Sequence, residues 1–294
     1  MITISILIPI HNRLAVTKQG LSYIKEALDL YYLGRNTLCD FQVVVIDDGS
    51  TDGSSEWIKE NHPEIHILKG DGNLWWSGAV NMGAKYSINE LHAGYLLLWN
   101  DDVIPGENYF AHLEKWMTDN RMDNTIVGSK IVVHNNSHTI WSVGGFFNPF
   151  SGKAGMYNQE VAANGNFLKC DWQPGMGTLI PTSIITKFNL WWDEKKFPQY
   201  HGDSDFVLRC KRKGVKVVTD LNLILYNRTE LTGITKKKSI KDLYNGLTSV
   251  RSNYNFHKYF LFYTQHGVIP FVYYGMFKKY FFYIGGYIKH SILK

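Results

Sequence analysis

The chain opens on ITISILIPI, a β-branched and nearly all-apolar run. Such a run predicts a strand buried on both faces, as in a parallel sheet covered by helices. Over 14–33, Leu14, Leu21, Ile24 and Leu28 follow helical spacing. FQVVVIDDG predicts a second buried strand that stops at Asp47, Asp48 and Gly49. Ser50, Thr51 and Asp52 are N-cap types leading into a short helix that ends before Pro63. EIHILKG predicts a third strand, 77–91 another helix, and GYLLLWNDD a fourth strand that again ends in acids. Strands alternating with helices predict right-handed βαβ units and a mostly parallel, Rossmann-like sheet, so the fold class is α/β.

Sheets of this kind bind ligands at the carboxyl ends of their strands. Here those ends carry His11-Asn12-Arg13, Asp47-Asp48, Gly72-Asn73 and Asp101-Asp102, a convergence that predicts one site. Beyond about residue 125 the alternation fades. IVGSKIVV predicts a strand, IWSVGGFFNPFSGKAG a glycine-rich hairpin region, TLI a strand before a short helix, GDSDFVLRCKRKG a helix, and VKVVTDLNLILYN a closing strand. The acidic start and basic end of GDSDFVLRCKRKG suit the helix dipole.

Composition adds a division of the chain. With 45% hydrophobic and 19% charged residues in 294, disordered and collagen-like chains are excluded. The formal charge of +5 is unevenly placed: residues 236–294 hold ten Lys/Arg against the single acid Asp242, a net of +9, so residues 1–235 carry −4. The same last 59 residues contain 16 of the 43 aromatics. A mildly acidic body is therefore joined to a basic aromatic tail. Three scattered cysteines (Cys39, Cys170 and Cys210) fit a reducing compartment, and MITISILIPIHNR lacks the features of a signal peptide, so a cytoplasmic location is expected.

The acids carry the candidate chemistry. Asp47 and Asp48 are either plain structure, one of them capping the next helix, or a nucleotide site in which Asp47 bonds a base and Asp48 stabilises the turn or the ribose. Asp101 and Asp102 form a second acidic strand end on the same edge. Two such pairs repel unless a cation or ligand is present, and a hard ion such as Mg²⁺ or Mn²⁺ takes carboxylates together with phosphate oxygens. GDGNLWWSGAVNMGAK lacks both GxGxxG spacing and a Walker A pattern, so Asn73 and Asn81 are its candidates for polar contacts. Asp203 and Asp205, at a helix start, are either caps or a general base.

Taken together, SILIPIHNR, VVVIDDGSTDGS, GNLWWSGAVNMG, LLLWNDDV and HGDSDFVLR resemble glycosyltransferase family 2, the inverting GT-A enzymes, over about residues 3–230. Within that family the chain most resembles the rhamnosyltransferase-like branch that builds cell-surface polysaccharide. The resemblance implies a nucleotide-diphospho-sugar donor, a glycan or lipid-linked acceptor and a GT-A fold. It implies a catalytic domain at 1–235, with a nucleotide-binding half at 1–124 and an acceptor-binding half at 125–235. Pro9, Asn12 and Asp47 would line the base pocket, joined on the donor side by Asp48 and Asp101. Asn73, Trp76 and Asn81 would hold nucleoside and sugar. Asp102 would be the direct ligand of Mg²⁺ or Mn²⁺, Asp203 the catalytic base, Asp205 a second acid able to share that role, and Arg209 an orienting or phosphate-binding group. The chain departs from the family pattern at Asn100 (first acid of the metal motif), at Gly202 (where Glu is common) and at Asn227 (where a metal-binding His is common).

Two other classes compete. A sugar-nucleotide pyrophosphorylase needs a basic glycine-rich loop after the first strand, which HNRLAV does not supply. A catalytically silent nucleotide-sugar-binding or scaffold protein keeps the fold without the chemistry. The tail, 236–294, has helical spacing at Leu243, Leu247, Val250 and Tyr254. Its longest uncharged run, Tyr259–Phe277, is 19 residues but is broken by Thr264, Gln265, His266, Gly267 and Pro270. An amphipathic helical hairpin on the inner face of the plasma membrane is expected, with packing on the body or a homodimer seam as the alternatives. Dense apolar residues among the basic ones argue against nucleic acid.

Overall fold

The computed structural model describes residues 1–33, 36–120, 124–159, 166–231 and 239–292. Its first half alternates as the apolar pattern requires: β1 (Ile2–Ile10), α1 (Leu14–Tyr32), β2 (Cys39–Asp47), α2 (Ser54–Asn61), β3 (His66–Lys69), α3 (Trp75–Asn89) and β4 (Tyr95–Leu98). Then come β5 (Val103–Pro105), α4 (Tyr109–Asn120), β6 (Thr125–Val133), β7 (Asn136–Ser142), β8 (Gly145–Phe147), β9 (Ala154–Met156), β10 (Phe167–Lys169), β11 (Thr178–Pro181) and α5 (Thr182–Phe188). The chain ends with α6 (Gly202–Arg212), β12 (Lys216–Asn227), α7 (Ile240–Thr248), α8 (Phe256–His266) and α9 (Val272–Ile292).

Ten strands form one sheet in the order β10-β12-β6-β11-β4-β1-β2-β3, with β5 added to β12 and β7 to β6. β1, β2, β3 and β4 run parallel, as do β6 and β12, while β11 is antiparallel to both β4 and β6. The order β3-β2-β1-β4 is the doubly wound arrangement, and β1 lies at its centre. Ile4, Ile6 and Ile8 enter one core layer with α1 and α4, and Leu7 enters the other with α3, α5 and α6. The opening run is apolar on both faces because helices cover both. β11 is antiparallel, so its start meets the end of β4, with Thr178 opposite Leu98. The loop before β11 is thereby brought to the edge where β1, β2 and β4 end. β8 and β9 form the hairpin that the glycine-rich stretch predicts.

The tail packs on the body through a third core of Phe147, Phe197 and Leu208 with Tyr259, Phe262, Tyr263, Val272, Met276 and Tyr280. Packing on the body, one of the alternatives for this segment, is therefore realised by α8 and the inner face of α9. The other face of α9 leaves Tyr274, Phe277, Phe281 and Phe282 exposed, as is Phe271 just before the helix. Among the described residues no helix is long and apolar enough to cross a membrane. The expected boundary at 235/236, with Lys236, Lys237 and Lys238, lies outside the described residues.

Phe262 sits at the centre of the shared core, with ring centroids 5.5 Å from Phe147, 5.0 Å from His201 and 4.7 Å from His266. Truncating a buried aromatic ring costs about 3–5 kcal/mol. Phe262→Ala should therefore destabilise the entire protein by that amount in a urea titration; an unchanged main transition would mean that the tail folds apart from the body.

Candidate active site

The loops after β1 and β2 are tied together. The His11 ring bonds the Asp48 carbonyl at 2.6 Å, and the Asn12 N–H donates to Ser50 Oγ at 2.9 Å. Asn12 Oδ1 accepts the Thr51 N–H at 2.8 Å, and the backbone there is left-handed, with φ 50°. Asp52 accepts the first helical N–H of α1, from Leu14, at 2.8 Å, so it caps the helix across the loop. Asp47 is buried: its carboxylate accepts the Ser50 N–H at 2.8 Å and the Ser55 hydroxyl. Asp48 accepts the N–H groups of Gly72 and Trp75 at 2.8 and 2.9 Å, holding the turn before α3. Both acids thus do the structural work of shaping these turns, with Pro9 half-buried and Asn12 exposed beside them.

On α3 the candidates separate. Asn73 is exposed in the turn. The Trp76 ring lies against Gly175, where a Cβ would overlap the indole. Asn81 is buried: its amide donates to the Trp192 carbonyl at 2.9 Å and to Glu194 at 2.7 Å, and its oxygen accepts the Trp192 N–H at 3.0 Å. In this geometry Asn81 latches α3 to 192–194, and every polar group of its amide is engaged.

At the end of β4, Asp101 and Asp102 are both buried. Arg13 bridges them, with one guanidinium nitrogen 2.9 Å from Asp101 Oδ1 and the other 3.1 Å from Asp102 Oδ2. Asp101 also accepts the Thr17 hydroxyl at 3.1 Å. Burial raises its carboxyl to about 6 against the pull of Arg13. Asp102 Oδ1 is different, being buried with no hydrogen-bond partner. Asn227 pairs in register with Val103, the residue after Asp102, and both polar atoms of its buried amide also lack partners. The Arg228 N–H donates to the Asp102 carbonyl at 3.2 Å, which holds β12 against this turn.

Orphaned buried polar atoms are rare, and here they are oxygen donors in adjacent segments. Together with phosphate oxygens and water they fit a hard divalent cation, which often takes only one or two protein carboxylates. The described residues contain no set of three His, Cys, Asp or Glu that could hold a metal by itself. Asp102 and, through its amide oxygen, Asn227 are the residues here that could hold such an ion.

The fourth part is the start of α6. Asp203 accepts its neighbour's N–H, from Ser204, at 2.7 Å and the Gly175 N–H at 3.0 Å. Burial raises its carboxyl above the ordinary value, and those N–H groups oppose the shift. Gly175 belongs to the loop entering β11, whose Gly177 N–H donates to the Leu98 carbonyl at 2.7 Å. One short loop therefore bonds Asp203 at one end and the β4 terminus, three residues before Asp101, at the other. Gly202 is glycine because a Cβ there would overlap the Ser77 hydroxyl on α3, which explains the missing glutamate. Asp205 is fully buried and bonded to Arg209, Gln265 and His266, so it faces the joint with α8 and not the cleft. Arg209 holds Asp205 and the Trp191 carbonyl, and so orients α6 from within.

Arg13 and Gly175 gained no role from the sequence. HNR offers a polar strand end but not its partner, and the Gly175 contact joins residues 28 apart. Removing Arg13 leaves two buried carboxylates without their cation, a loss of about 1–3 kcal/mol for each unsatisfied group. Arg13→Ala should lower the melting temperature, and Mn²⁺ should raise it by more in the variant than in the wild type. Equal Mn²⁺ shifts would show that the guanidinium and a metal do not answer the same charge.

Comparison with known proteins places this geometry. Residues 5–167 match the model of the glycosyl transferase family 2 domain. The low-salt glycan biosynthesis hexosyltransferase Agl10 of Haloferax volcanii is 36% identical over 62 residues, 21% of this chain and 20% of that protein. The crystal structure of GalNAc-T7 with UDP, GalNAc and Mn²⁺ shares the fold with a TM-score of 0.59 at 12% identity, over 78% of this chain and 44% of that one. Staphylococcus aureus TarS does so with a TM-score of 0.52 at 12% identity, over 77% and 37%. The chain thus spans a fifth of that curated relative and less than half of either solved chain. With the family model matching more than half of its residues and the GT-A fold beneath them, the chain belongs to glycosyl transferase family 2.

Proposed function

We propose that the protein is an inverting glycosyltransferase that moves a hexosyl-type sugar from a UDP- or dTDP-sugar to a glycan or lipid-linked acceptor in cell-surface glycan synthesis. The observation that carries this reading is the 173–177 loop, which ties the candidate base Asp203 to the strand end bearing Asp102. Transfer needs both groups on one cleft: one to receive a proton, the other to answer the charge on the departing diphosphate. The donor side is formed by Pro9, Asn12, Asp47, Asp48 and Asn73, and the Trp76 ring beside Gly175 borders the sugar. The halves 1–124 and 125–235 then divide donor from acceptor binding. The rhamnosyl preference rests on the sequence resemblance alone.

Asp102, with Asn227, would hold Mg²⁺ or Mn²⁺. When bound, such an ion neutralises charge that grows on the diphosphate. Asp203 accepts the proton of the acceptor hydroxyl as that oxygen attacks the anomeric carbon from the face opposite the nucleotide, which inverts the configuration. Its raised carboxyl suits a base, since a higher proton affinity strengthens proton removal near neutral pH. Asp101 and Thr17 fix the turn, and Arg13 supplies a second positive group beside the diphosphate.

General-base assistance contributes about 10²–10⁴-fold. Asp203→Asn should lose a factor of that size in transfer and leave nucleotide binding unchanged. Wild-type turnover should fall on acidification, as Asp203 gains its proton, at a higher pH than for an ordinary carboxylate. Undiminished turnover in the variant would exclude the assignment.

The exposed aromatic face of α9 supports peripheral membrane contact. Phe277, Phe281 and Phe282 are exposed together with Lys278 and Lys289, and residues 256–292 contain no acid. Each basic residue near an anionic surface adds about 1 kcal/mol. The protein should sediment with phosphatidylglycerol vesicles, and changing Phe277, Phe281 and Phe282 to Ser should release it. Retention of the triple variant, or a homodimer in place of vesicle binding, would redirect this face to another use.

A further inference from the structure

We infer that Gln265 and His266 of α8 are positioning residues for Asp203, so that the C-terminal extension completes the catalytic helix. The inference rests on the reading of Asp203 as the base.

The first turn of α6 is held by α8 on both sides of Asp203. Upstream, the His201 ring lies 4.5 Å from the Tyr259 ring and 5.0 Å from that of Phe262. His201 takes a left-handed backbone, φ 68°, which a non-glycine residue keeps only where its surroundings over-determine it. Downstream, Asp205 Oδ1 is bonded by His266 Nε2 at 2.9 Å and by the Gln265 amide, while Oδ2 takes Arg209 at 2.8 Å. Gln265 is itself fixed. Its oxygen accepts Lys196 Nζ at 3.0 Å, and its carbonyl accepts a guanidinium N–H of Arg212 at 2.8 Å.

Asp205 is wholly shut from water, so hydrogen-bond donors must replace water at both of its oxygens. Two of its donors come from α8 and one from α6. If the α8 donors are lost, Asp205 seeks other partners or water, and the turn that carries Asp203 moves with it. The Gly175 N–H to Asp203 bond is then the first casualty, because it joins that turn to a loop on another element. A displacement of about 1 Å costs on the order of 10²-fold in rate when a reacting group must be aligned. The loss should fall on kcat, since Asp203 acts on the acceptor proton and not on donor binding.

The test reads Asp203 through a distant amide. The Gly175 N–H is buried and bonded to Asp203, and Gly175 has no bond to α8. Its hydrogen exchange, followed by NMR in the full chain, should quicken by about tenfold in His266→Phe and in Gln265→Leu. His266→Phe keeps a ring against Phe147 and Phe262 but removes the donor, and His266→Gln, which restores an N–H near the Nε2 position, should return exchange to the wild-type rate. Asp203→Ala sets the rate of the fully released amide. Exchange at Gly175 unchanged in both His266→Phe and Gln265→Leu overturns the inference, as does failure of His266→Gln to restore it. Should His266→Phe not fold, Gln265→Leu carries the same test. Turnover that survives Asp203→Asn would instead remove the base reading, and the exchange result would stand apart from it.

Discussion

Burying a carboxylate costs several kcal/mol unless hydrogen bonds or cations replace the water it loses. This chain places Asp47, Asp48, Asp101 and Asp102 at one edge of its sheet and Asp203 and Asp205 in the first turn of α6, and the surrounding elements are arranged to satisfy them. Backbone N–H groups of the following turns answer Asp47 and Asp48. Arg13, carried by the turn after β1, answers Asp101 and Asp102 together. The antiparallel strand β11 brings Gly175 to Asp203, and a helix from the C-terminal extension supplies two donors to Asp205. One oxygen is left over, Asp102 Oδ1, beside the equally unpartnered amide of Asn227. Every carboxylate oxygen of these six acids but Asp102 Oδ1 thus has a donor.

The same constraint explains why the extension belongs to the active structure. A lone α6 would end its first turn on a buried acid with one partner. α8 closes that gap, and its aromatic face shares a core with β8 and α6. α9 then lies with one face in this core and the other open, so that the same pair of helices meets the catalytic helix inside and presents aromatic rings outside. Lys278 and Lys289 lie exposed on this outer side.

Much of the fold was legible because the first half repeats one physical rule: apolar strands covered on both faces, separated by amphipathic helices. β1, β2 and β4 and the acidic ends of β2 and β4 follow from that pattern, and the convergence of the strand ends follows from the parallel arrangement. The antiparallel entry of β11 was not legible, since TLI is too short to show its direction, and with it went the contact between Gly175 and Asp203. The residue pattern GDSDF offers Asp203 and Asp205 alike, the resemblance ranks Asp203 first, and the Arg209, Gln265 and His266 partners of Asp205 set it apart in space. Asn81 reads as a polar group near a glycine-rich turn, whereas its partners at 192 and 194 lie more than a hundred residues away in sequence. The missing glutamate before Asp203 has a cause that no local pattern contains, namely the Ser77 hydroxyl on the neighbouring helix.

The proposed chemistry requires the unpartnered Asp102 oxygen to hold a cation shared with a nucleotide diphosphate. Electron paramagnetic resonance of Mn²⁺, titrated into the protein with and without UDP or dTDP, measures this directly. The predicted result is Mn²⁺ binding that one of the nucleotides strengthens and that Asp102→Asn removes. Binding that ignores both nucleotides, or that survives Asp102→Asn unchanged, contradicts it.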